Sequence, residues 1–176
     1  INWGPLLGAL PGQLTDVEGP RVVPVGYVGR DPELSTADAE KAGIRAPVGE
    51  FTVAVGADAR AQEMIVSLAG HFIPAGGTFS MEEVAGLVSG DTSADAVATA
   101  LFNAALVAGT QDIERTARGV DGEAFPVGRD ATASADVAFR NAQGTGLVID
   151  AAGNSTSVTV RLWGTPEYDV RISTSP

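Results

Sequence analysis

Hydrophobic positions along this 176-residue chain change period several times, and each change predicts an element. Phe51, Val53 and Val55 alternate with polar or small neighbours, the spacing of a short strand. From Asp58 the spacing becomes helical. Ala61, Met64, Ile65, Leu68 and Ala69 recur at i, i+3, i+4, i+7 and i+8, with Asp58 placed to cap the start and Gly70 to stop the end. The stretch from Ile73 to Gly77 reads as a turn. Ser80 and Glu83 then make a capping box, with Phe79 and Val84 at the positions of a hydrophobic staple. Residues 94–108 are the most apolar stretch, a helix that should be buried on nearly all sides. The loop from Thr116 to Gly128 has little apolar pattern, and loops of that length in compact domains tend to carry function. Period-2 alternation returns at Val137/Phe139, Leu147 to Ile149, Val158/Val160/Leu162 and Tyr168/Val170/Ile172, with turns at Gly153-Asn154 and Gly164-Thr165-Pro166. The pattern predicts an α+β domain, an antiparallel sheet built largely from residues 136–173 whose apolar face receives the helices.

The first 45 residues read differently. Residues 1–20 mix Gly, Pro and apolar side chains without a sustained period, as a linker or the end of a preceding module that packs through Trp3, Leu6 and Leu7. Val22 to Val28 has strand composition, which Pro24 and Gly26 demote to an edge. Ser35 to Asp38 is a capping signature for a short helix stopped at Gly43. The chain therefore divides into a linker or tail over residues 1–45 and a domain over 46–176.

The polar exceptions within the apolar helix carry the main clue. Asp95, Thr99 and Asn103 stand at i, i+4 and i+8, on one narrow stripe. Such a stripe is expected to face solvent or a cleft. Thr92-x-x-Asp95 also reads as a capping box. Arg115, Arg118, Arg129 and Asp130 sit in or beside the long loop that follows.

These segments carry a family resemblance. LFNAAL, then Glu114-Arg115, Pro126-x-Gly128-x-Asp130-Ala131-Thr132 and Asp136-x-x-Phe139-x-Asn141, is similar to the VanW-like domain of bacterial envelope proteins. The likeness extends upstream through Pro74-x-Gly76-x-Thr78-Phe79-Ser80 to Gly86, and takes in Gly43-Ile44 to Phe51-Thr52. A peptidoglycan-binding-like module often precedes this domain in the family, which the first 45 residues fit as a tail. The departures are at the residues with chemistry. Aligned on LFNAAL, the family's Cys-Gln pair falls on Asp95 and Ala96, its His falls on Arg118, and its Gly-rich run before the helix is missing. The resemblance thus implies a degenerate, extracytoplasmic member, held in the cell wall or anchored by a segment upstream of Ile1.

Composition removes other classes. With 11 basic against 22 acidic side chains the net charge is −11, and no basic stripe interrupts it, which argues against nucleic acid and anionic membrane surfaces as partners. There is no cysteine, so thiol catalysis, disulfides and Cys-based zinc sites are excluded. No run of 18 apolar residues inserts in a membrane, and no phosphate-binding loop, cofactor motif or metal-ligand cluster is present. His71, the sole histidine, suits a helix end, where a cation meets the negative end of the dipole. Ser80 is placed as a cap rather than a nucleophile, with no nearby base.

The function read from the sequence is a non-catalytic envelope domain that binds a cell-wall polymer or an envelope protein. Its expected site is a small polar groove lined by Asp95, Thr99, Asn103, Arg115, Arg118 and Asp130. Asp95 should pair with Arg118 and Asp130 with Arg115, leaving an Arg-rich rim for a carboxylate-bearing ligand. An alternative is a glycan-acting enzyme using Asp95, Glu114 and Asp130 as acid and base, since glycosidic hydrolysis takes two facing carboxyl groups. A second alternative is a scaffold domain whose exposed apolar patch, rather than a pocket, makes the contacts.

Overall fold

The computed structural model describes residues 35–119, 124–167 and 170–172. The chain separates into two units, residues 1–32 and 33–176. The expected linker at 1–20 and edge strand at 22–28 lie outside the described residues.

Helix α1 (Thr36–Lys41) starts at Ser35, whose hydroxyl accepts the Asp38 N–H. It ends just before Gly43, which takes φ +79°. Bonds from Arg45 N–H to the Gly164 carbonyl and from Gly146 N–H to that of Ala42 tie this entry to the body of the domain. Strand β1 (Ala46–Val53) leads to helix α2 (Ala59–Leu68), capped by the Asp58 side chain as its sequence predicts. Two short strands, β2 (Phe72–Ile73) and β3 (Thr78–Ser80), precede the small helix α3 (Met81–Ala85). The apolar helix α4 (Thr92–Ala108) is followed by β4 (Gln111–Glu114), β5 (Ala138–Arg140), β6 (Leu147–Gly153) and β7 (Val158–Gly164).

The α+β architecture holds, but the strands divide into two antiparallel sheets rather than one meander. The larger has the order β1-β7-β6-β2 and the smaller β3-β5-β4. Residues 138–140 therefore leave the sheet expected of 136–173, and β1 and β2 from the first half complete it. Residues 170–172 form no strand, while Tyr168 lies outside the described residues. The reason is that alternation fixes which face of a strand is buried and says nothing about which neighbour it pairs with. The β4 strand escaped the sequence because three of its four residues are exposed, leaving no apolar rhythm. Pro47 is tolerated within β1 because that strand is at the sheet edge and its register slips between Pro47 and Gly49.

Helices α2 and α4 share the inner face of the larger sheet. Met64, Leu68, Leu101, Ile149 and Leu162 are fully buried between these layers, each side chain contributing about 1.5–3 kcal/mol on leaving water. Small residues let α4 approach β1 closely: a β-carbon on Gly49 would stand 2.1 Å from the Ala104 carbonyl oxygen and 2.9 Å from the Ala108 side chain.

The outer face is laid out in cross-strand rows. Pro47, Trp163, Val148 and Phe72 pair directly across all four strands, with the Phe72 ring over Gly146. The next row is Glu50, Arg161 and Asp150, in which Arg161 holds Glu50 through two bonds (2.7 and 3.2 Å) and approaches Asp150 at 3.6 Å. Beyond it the Thr52 and Thr159 hydroxyls meet at 2.8 Å.

Two expectations arise from this packing. Gly49→Ala forces strand and helix apart and should cost at least about 1–3 kcal/mol in urea unfolding, as overpacking of a dense core does. On the outer face, the Arg161 hydrogen bond, opposed by slight burial and aided by the guanidinium charge, holds the Glu50 carboxyl below its ordinary pKa. Its contribution to stability is therefore present above the unfolded carboxyl pKa and is lost as pH falls through the depressed folded value. Arg161→Ala should raise the Glu50 titration midpoint seen by NMR with little change in stability, since both groups are largely solvated.

Candidate functional site

The site is built on α4. Asp91 caps this helix, accepting the N–H groups of Ser93 (2.8 Å) and Ala94 (3.1 Å). The capping box expected of Thr92 and Asp95 is thus replaced, because an aspartate one residue earlier already satisfies the helix start. Asp95 is left free for a different task.

That task is shared along the stripe. Asp95 Oδ1 accepts the Ala133 N–H at 2.8 Å and the Thr132 hydroxyl at 3.0 Å. Thr99 Oγ1 accepts the Ala131 N–H at 2.9 Å and donates to the Ala131 carbonyl at 3.1 Å. Asn103 Nδ2 donates to the Arg129 carbonyl at 2.8 Å and to the Thr99 carbonyl at 2.7 Å, and its Oδ1 accepts Arg129 Nε at 2.7 Å. Each advance of four residues along the helix meets a retreat of two along the segment 129–133. The geometry permits this because four helical residues rise about 6 Å and two extended residues about 6.6 Å. The stripe acts as a surrogate strand edge.

The expectation of a stripe facing solvent or a cleft is therefore corrected. Asp95 is 6% exposed, while Thr99 and Asn103 are wholly buried. The physical reason is that buried polar atoms must find partners, and the nearest ones are backbone groups of the chain's own return segment.

The arginines complete the closure. Arg118 Nε donates to Asp95 Oδ2 at 2.7 Å, Nη2 donates to the Thr92 hydroxyl at 3.1 Å, and the guanidinium lies 4.3 Å from the Phe125 ring centroid. The side chains of this ion pair are 14% and 8% exposed, which makes it a buried pair rather than a surface one. Arg115 donates to the carbonyls of Gly128 (2.7 Å) and Asp130 (2.6 Å) and covers Phe102. The expected Arg115–Asp130 link thus runs through the Asp130 backbone. The Asp130 carboxylate instead accepts the Arg118 N–H at 2.7 Å. Arg129 lies over Phe51. All six residues singled out from the sequence are brought together along this one segment.

Thr132, Ala133 and the three phenylalanines belong to the same cluster and were missed. The backbone of residues 129–133 carries no side-chain signal, and a Phe under a guanidinium looks in sequence like any core residue. The other quoted motif residues do structural work nearby. Asp136 accepts Ser80 Oγ (2.7 Å) and the Glu82 N–H (2.9 Å) at the start of α3. Phe139 stacks on Phe79 at 4.9 Å across β3 and β5. Asn141, wholly buried, donates to the carbonyls of Ile73, Pro74 and Thr145. Gln143 donates to the Ala108 carbonyl at the end of α4. His71 meets the Phe79 ring edge-on, 5.6 Å between centroids.

Chemically, the arrangement fastens a loop. Both Asp95 oxygens receive donors, so this carboxylate has no free face for a substrate. Glu114 sits exposed on β4. Among the described residues no helix is long and apolar enough to cross a membrane.

An α+β module whose buried helix clamps an extended return segment is what the fold and site define. Residues 95–163, from the clamp aspartate to β7, match the family model described as VanW like protein. No curated protein and no solved structure matches the chain. The chain carries a VanW-like segment, and that likeness points to a cell-envelope-related domain.

Removing one partner of the buried pair leaves the other charge uncompensated. Asp95→Ala should therefore cost about 3–5 kcal/mol in denaturant unfolding. Asp95→Asn should be nearly as damaging, because one carboxylate oxygen becomes an amide donor facing guanidinium or backbone donors.

Proposed function

We propose that this protein is a non-catalytic cell-envelope domain that binds a cell-wall component or an envelope protein. The observation that carries the reading is the closed Asp95–Arg118 pair, at the two positions where the resemblance to the VanW-like family implies a Cys and a His. A carboxylate and a guanidinium bonded at 2.7 Å, with the remaining carboxylate oxygen taken by Thr132 and Ala133, supply neither a nucleophile nor a free base. Asp95, Thr99, Asn103, Arg115, Arg118 and Asp130 enter this reading as the frame that keeps residues 115–119 and 124–133 in one shape. A segment held so firmly presents its outward groups without the ordering cost a mobile loop incurs on binding. Localisation outside the cytoplasm belongs to the same proposal and rests on the family likeness.

The test is sedimentation with purified peptidoglycan at low and moderate salt, with soluble products assayed in the supernatant. The expected outcome is that the protein pellets with the wall at both salts and releases no muropeptides. Failure to pellet removes the wall-binding version and leaves the envelope-protein partner, and release of soluble fragments overturns the non-catalytic reading.

A further inference from the structure

We draw no further inference here: the strongest candidate, the apolar cross-strand row of Pro47, Trp163 and Val148 on the outer face of the larger sheet, carries nothing because nothing in the structure shows what covers it.

Discussion

Burying a helix on all sides leaves its side-chain polar atoms without water, and each must then be matched inside the protein. In α4 those atoms belong to Asp95, Thr99 and Asn103, and their partners are backbone groups of residues 129–133. The rest of the domain follows from that match. The return segment has to lie antiparallel to the helix, which draws Arg115, Arg118 and Arg129 against Phe102, Phe125 and Phe51 and delivers the chain to β5. At the far end, Gln143 and Thr110 bond the carbonyls of Ala108 and Ala105. One side of the helix is thus a polar seam, and the others are small apolar residues that allow the close approach to Gly49 on β1.

The same constraint separates holding from acting. A carboxylate that accepts from a backbone N–H, a hydroxyl and a guanidinium has its lone pairs spent on structure. The motif residues Ser80, Asp136, Phe139 and Asn141 also have local duties at a helix start, an aromatic stack and a turn. A signature assembled from such residues specifies an architecture, and an activity does not follow from it.

The two faces of the larger sheet show a division of the same kind. Its inner face is packed so tightly that a single β-carbon at Gly49 has no room. Its outer face carries polar and aromatic side chains in cross-strand register. Electrostatics on this face are largely self-compensated, in contrast to the acidic balance of the chain as a whole.

How much of this was legible in the sequence depends on the range of the interaction. Helix α2 with its Asp58 cap, the Ser80 start of α3, the apolar span of α4 and the strands β6 and β7 all follow from residues within a few positions of one another. The α+β class follows from their order. The Asp95–Arg118 pair could be anticipated from two unlike residues at aligned positions of a family pattern. The sequence did not disclose the capping role of Asp91, the split into two sheets, the recruitment of β1 and β2, or the occupation of the polar stripe by backbone. Those are choices among partners far apart in the chain. Periodicity determines which side of an element is buried; which neighbour covers it is decided by the packing of the whole domain, because every buried polar group and every strand edge competes for the same few partners.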